Sequence, residues 1–242
     1  MFDKGDSRFS MFDSSLAKPS VKQPTPPKDS SNNLLCYGSG FFVSTDGYIV
    51  TNHHVIDGGS RFVVVSESKE LDAKLVAKDI HTDLALLKVD GHFDSFSYFS
   101  VKSARLGQDI FVMGFPRPSE QGFSPKITKG VISSLNGIND DATRYQIDAS
   151  IQPGNSGGPV CTADGRLVAV VVSSLKDKYF LDKDGSVPQN INYAIKGIYL
   201  KAFLDTIPVV SKMAVPDATI KLDHFEDAVD FVRKRIVLIK VY

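Results

Sequence analysis

From Cys36 onward the chain alternates short apolar runs with turn signals. Residues 62–65, 110–113 and 167–172 are unbroken apolar stretches of strand length, and 71–75 (Leu-Asp-Ala-Lys-Leu) alternates with a period of two. Asp-Gly pairs fall at 46–47, 57–58, 90–91, 164–165 and 184–185, and Asn136-Gly137 adds one more. Both dipeptides accept the positive φ angles of tight hairpins, so this spacing predicts many short antiparallel strands. Little before residue 196 has a helical period. The pattern predicts an all-β core, and a sandwich and a pair of barrels fit it equally.

The two ends read differently. Residues 196–207 predict a helix with Ile198, Ala202 and 204–207 turned inward. A second helix is predicted over 223–235. Asp223, Glu226 and Asp227 gather at its start and Arg233, Lys234 and Arg235 at its end, as the helix dipole favours. Residues 236–242 then read as a last strand, and the whole of 206–242 as an accessory extension. At the other end, residues 14–33 carry Pro19, Pro24, Pro26 and Pro27 among Ser and mixed charge. Such a segment buries too little to offset its ordering entropy, so 1–33 is expected to be a flexible arm.

Composition narrows the choice of partners. With 28 Lys+Arg against 28 Asp+Glu the net charge is zero, which removes any bulk attraction to nucleic acid or anionic membranes. Two cysteines are too few for a disulfide scaffold, and no C-x-x-C pair suggests zinc. No apolar run approaches the roughly 18 residues of a membrane span. The first ten residues lack the apolar stretch of a secretory leader, so a cytoplasmic location is expected, the alternative being a periplasmic or secreted one if the native N-terminus is missing, and Cys36 and Cys161 are expected to be free thiols.

The richest chemistry lies in Gln152-Pro-Gly-Asn-Ser-Gly-Gly-Pro-Val160. A serine hydroxyl needs a base beside it and donors for a developing oxyanion. Gly154, Gly157 and Gly158 let successive N–H groups converge next to Ser156. The same residues satisfy G-x-S-x-G, but that elbow requires a following helix and the order Ser, acid, His. Here Pro159 leads into a strand-like run, and His224 is the only histidine after Ser156. The opposite order is available upstream: His54 in Thr-Asn-His-His-Val (51–55), then Asp83 heading an apolar strand. An imidazole base needs a carboxylate to fix its tautomer, so His, Asp and Ser in this order on a β pattern point to nucleophilic hydrolysis.

Four segments carry a resemblance: GSGFFVSTDGYIVTNHHV (38–55), HTDLALLKV (81–89), QPGNSGGPV (152–160) and QNINYAI (189–195). Together they resemble the chymotrypsin-fold serine proteases of the HtrA/Deg type over about 36–205. The resemblance implies two six-stranded antiparallel β-barrels, the first over about 34–120 and the second over about 121–205, with a C-terminal helical and strand extension. It implies His54 as base, Asp83 as acid and Ser156 as nucleophile, with Gly154, Asn155 and Ser156 forming the oxyanion hole. His53 departs from the family, which commonly has a small residue there. If 53 and 54 are extended they face opposite ways, so His53, like His81 and His92, is expected at the surface.

The resemblance also places Ser150 at the base of the S1 pocket and Val172, Ser173 and Ser174 on its wall. With no acid at that base, a small or medium apolar P1 residue is expected, and Asp148 reads as structural. The charged segment 176–189 would be a lid beside the pocket. No cofactor or metal is implied, and the partner is a polypeptide substrate. Relatives often trimerise through an N-terminal arm, here with Phe9 and Phe12 as the candidate anchors. They also often add a PDZ domain, but only 37 residues follow 205, fewer than the roughly 50 of a small domain. A protease-fold binding or chaperone module with a latent site is the rival reading.

Overall fold

The computed structural model describes residues 33–96, 103–172, 190–211, 222 and 224–242. Residues 1–32 of the expected arm (1–33), the lid (176–189), Ser173 and Ser174 lie outside them. Among the described residues twelve strands close into two barrels. The first contains β1 (Cys36–Phe42), β2 (Tyr48–Thr51), β3 (Phe62–Ser66), β4 (Lys69–Asp79), β5 (Leu84–Lys88) and β12 (Ile236–Val241), in the order β1-β12-β3-β4-β5-β2. The second contains β6 (Asp109–Gly114), β7 (Lys126–Ser134), β8 (Arg144–Ile147), β9 (Pro159–Thr162), β10 (Leu167–Val172) and β11 (Asn192–Lys196), in the order β10-β11-β8-β7-β6-β9. All the pairings are antiparallel.

The unbroken apolar runs have a direct cause: these strands bury both faces. Ile49, Ala85, Leu87, Val237 and Ile239 fill the first barrel, and Ile110, Val112, Ile147, Val160 and Val171 fill the second. Their neighbours Val50, Leu84, Leu86 and Leu238 point out of the first barrel and meet Phe111, Met113, Val170 and Val172 from the second. A strand with core on both sides has no polar face to show, so its sequence loses the period of two. Each of the Val, Leu, Ile, Phe and Met side chains among them contributes about 1.5–3 kcal/mol by leaving water. β4 differs: like β7, it is exposed or half-buried along most of its length. A bulge between Leu75 and Ala77 shifts its register, and Leu75 and Val76 are left exposed.

Two readings of the C-terminal region change. First, β12 is no accessory: it inserts between β1 and β3, pairing Cys36 with Val241 and Leu238 with Val65. The first barrel is therefore closed by residues almost 200 positions beyond its first strand. Its strands are not confined to about 34–120. Second, the helix predicted over 196–207 forms as α3 (Gly197–Asp205; α2 is Pro118–Gln121 and α4 is Pro208–Ser211) and buries Leu204 as expected, but Leu200 and Phe203 accompany it in place of Ile198 and Ala202. Gly197, Leu200, Phe203 and Leu204 are buried, while Ile198 and Ala202 are exposed. The stripe 200/203/204 follows i, i+3, i+4 spacing, and Ile198 and Ala202 share the opposite side. The last helix, α5 (Phe225–Arg233), carries Glu226 and Asp227 in its first turn and Arg233 in its last. Arg235 pins the α5–β12 corner by donating Nε–H to the Ser95 carbonyl and Nη1–H to the Phe231 carbonyl.

Candidate active site

The barrels meet where a short helical turn, a β-turn and a glycine-rich loop converge. β2 ends at Thr51, and the chain turns at once into α1 (His53–Ile56). Opposite it, the turn 79–83 closes on Asp79, whose Oδ1 accepts the His81 N–H at 2.9 Å and whose Oδ2 accepts the Thr82 hydroxyl at 2.7 Å. These bonds, the Thr82 hydroxyl first, lower the Asp79 carboxyl below its ordinary range against the opposing effect of partial burial. Asp83 leaves the turn in a left-handed conformation (φ 59°) and enters β5. That reversal aims its carboxylate at α1.

Three side chains then line up. His54 Nδ1 lies 2.7 Å from Asp83 Oδ2, and His54 Nε2 lies 3.0 Å from Ser156 Oγ. A carboxylate only accepts, so Nδ1 carries the proton and the Nε2 lone pair faces the serine hydroxyl. Asp83 is held from its other side as well. Its Oδ1 accepts the His54 backbone N–H at 2.9 Å, and its carbonyl accepts the His53 N–H and the Asn52 side-chain amide. His54, Asp83 and Ser156 thus form one continuous hydrogen-bonded chain.

His53 behaves otherwise than expected. Residues 53–56 form a helical turn rather than extended backbone, and His53 is buried, with Nε2 lacking a hydrogen-bond partner among the described residues. Its imidazole faces Asp57, one turn along, at 3.9 Å. His81 and His92 are exposed.

The loop around Ser156 depends on positive φ. Gly154 sits at φ +98° and Gly157 at φ +83°; a Cβ at either would lie 2.3 Å from the Phe115 carbonyl or 2.2 Å from the Ser39 carbonyl, respectively. Asn155, placed between the expected oxyanion donors, spends its N–H on the Gln152 carbonyl at 3.0 Å. No helix follows the serine: β9 begins at Pro159, as the rejected elbow motif would not allow.

The remaining candidates are scattered in their surroundings. Ser150 is exposed, and its carbonyl accepts the Thr128 hydroxyl. The Val172 side chain is 2% exposed and packs in the core between the barrels. Asp148 accepts the Val131 N–H at 2.6 Å, a structural bond. Sequence reasoning missed Ser39, Asn52 and Arg117, whose bonds run to residues distant in the chain.

The family description "Trypsin-like peptidase domain" matches residues 38–170, more than half of the chain and all three residues of the hydrogen-bonded chain. The chain belongs to the trypsin-like peptidases. Among relatives of this trypsin-like peptidase, an uncharacterized protein of Sinorhizobium fredii, y4bJ, is 39% identical over 77% of this chain and 30% of its own length. A probable periplasmic serine endoprotease, DegP-like, of Rhizobium meliloti is 38% identical over 70% of this chain and 33% of its own. Among solved structures, the HtrA-type protease AlgW with a decapeptide is 28% identical, with a TM-score of 0.58 over 73% of this chain and 52% of that one. The serine endoprotease from Yersinia pestis is also 28% identical, with a TM-score of 0.54 over 73% and 57%. The HtrA/Deg resemblance read from the four motifs therefore holds for this trypsin-like peptidase.

This trypsin-like peptidase spans about a third of the length of the relatives it matches. The same comparison overturns the cytoplasmic expectation, because the DegP-like relatives of Rhizobium meliloti and Bartonella henselae are named as periplasmic. An N-terminus without an apolar stretch was no guide to compartment. Among the described residues no helix is long and apolar enough to cross a membrane.

Proposed function

We propose that the chain is a serine endopeptidase working through an acyl-enzyme. The observation that carries this reading is the unbroken path from Asp83 Oδ2 to His54 (2.7 Å) and from His54 Nε2 to Ser156 Oγ (3.0 Å). His54 takes the hydroxyl proton as Ser156 Oγ attacks the scissile carbonyl carbon, and Asp83 stabilises the imidazolium. The N–H groups of Gly154 and Ser156 bind the developing oxyanion. His54 then returns the proton to the leaving amine. Water, activated by the same imidazole, attacks the ester and releases Ser156.

The substrate is an unfolded polypeptide cut after small or medium apolar residues. What supports this P1 preference is Ser150 at the expected pocket base, where no acid stands to pair with Arg or Lys. The names of the DegP-like relatives support a periplasmic site of action. Incubation with unfolded casein, followed by mass spectrometry of the fragments, tests both levels. The reading expects cleavage after Ala, Val or similar residues, lost in Ser156→Ala. Cleavage mainly after Arg or Lys overturns the specificity. Intact casein with the wild-type chain overturns the endopeptidase.

A further inference from the structure

We propose that Ser39, in the first barrel, is a positioning residue for the oxyanion-binding loop of the second. The proposal rests on the peptidase reading above. Ser39 is fully buried, and its short side chain stands between three segments. Its hydroxyl donates to the Gly154 carbonyl at 2.7 Å and accepts the Phe115 N–H at 3.0 Å. Its own backbone N–H donates to the Ser156 carbonyl at 2.8 Å. Its carbonyl in turn accepts the hydroxyl of Thr51, two residues before the helical turn that carries His54, at 2.8 Å.

These bonds decide the direction of particular peptide planes. The 154–155 peptide is held at both ends, its carbonyl by the Ser39 hydroxyl and its N–H by the Gln152 carbonyl. The preceding peptide is held through the Pro153 carbonyl, which accepts the Arg117 N–H at 2.8 Å. In a trans peptide the N–H points opposite to the carbonyl. Clamping the Pro153 carbonyl toward Arg117 therefore turns the Gly154 N–H the other way. Gly154 is flexible by nature, and its φ of +98° is kept only while the planes on both sides are fixed. Ser39 fixes one of them. A donor that stabilises an oxyanion must be aimed before the charge develops, so loosening that plane weakens binding of the transition state more than of the substrate.

Removing the hydroxyl also leaves the Phe115 N–H and the Gly154 carbonyl without this partner, so folding and positioning need separate readouts. The experiment uses the full chain as Ser39→Ala and Ser39→Thr, with active sites counted by fluorophosphonate titration and turnover expressed per titrated site. For Ser39→Ala the expected result is a kcat on the order of 10- to 100-fold lower per site, with KM changed less than about 3-fold. Affinity for a peptide boronate, which places an oxyanion-like oxygen in the hole, falls in parallel. Ser39→Thr, which keeps the hydroxyl, recovers kcat. Amide exchange at Asn155 is faster in Ser39→Ala while that of β10 is unchanged. A kcat per site within about 2-fold of wild type, or a loss confined to the number of titratable sites, overturns the proposal. Absence of turnover and of titration in the wild type itself overturns the peptidase reading and this one with it.

Discussion

Asp83 grips His54 twice, its Oδ1 on the backbone N–H at 2.9 Å and its Oδ2 on Nδ1 at 2.7 Å. The double contact fixes both the position of the residue and the plane of its ring. Asp83→Asn keeps the shape but substitutes an amide that can donate to Nδ1, so the proton moves to Nε2 and faces Ser156. The expected loss is on the order of 10⁴-fold in kcat with KM little changed, measured on a peptide substrate.

Gly154→Ala places a Cβ 2.3 Å from the Phe115 carbonyl at a φ of +98°. The strain is about 1–3 kcal/mol, before any shift of the loop. In a chain of this size that lowers Tm by roughly 2–12 °C. Calorimetry should find that fall together with a loss of kcat, because the loop relieves the clash by turning the Gly154 N–H away.

β12 supplies Val237, Leu238 and Ile239 to the core, each fully buried. Leu238→Ala is expected to cost about 2–5 kcal/mol in urea unfolding. A chain ending at Arg235 leaves the edges of β1 and β3 unpaired, and its circular dichroism should lose β signal rather than match the full chain.

Asp79 makes the turn before Asp83 sensitive to acid. Its folded pKa lies below the ordinary 3.8, chiefly through the Thr82 hydroxyl, so the fold favours the carboxylate. The stability it adds is complete above the unfolded pKa and is lost as pH falls through the depressed folded value. Asp79→Asn should therefore be less stable than wild type near pH 7. The gap should shrink below about pH 4, as followed by urea unfolding across pH.

The two thiols should differ from ordinary cysteines. Burial pushes Cys161 well above its usual pKa of 9.0, with Asp164 adding to it, and burial also raises Cys36, whose thiol donates to the Val55 carbonyl. Iodoacetamide at pH 8 should leave Cys161 unmodified in the folded chain and modify Cys36 slowly, with both reacting in urea.

What was legible from the sequence follows the range of each interaction. His54, Asp83 and Ser156 announce themselves because each sits in a local motif whose neighbours shape its turn. Ser39 does not, since its meaning lies in a contact with Gly154, 115 positions away. β12 was legible as a strand but not as the closing strand of the first barrel, because pairing with β1 and β3 is set by topology. The burial of His53 is illegible for a local reason: a single helical turn has too few residues to show a period that sets it apart from extended backbone. In α3 the sequence shows the helix and the inward Leu204 but not the rest of the buried face. Ile198 is as apolar as Leu200, and only the packing against β10 and β11 decides between them.

Labelling with a fluorophosphonate, with the adduct mapped by peptide mass spectrometry, decides whether Ser156 is the activated nucleophile. One adduct per chain is expected, on Ser156, abolished in Ser156→Ala and strongly slowed in His54→Ala. A folded wild-type chain that stays unlabelled, or an adduct on another residue, would contradict it.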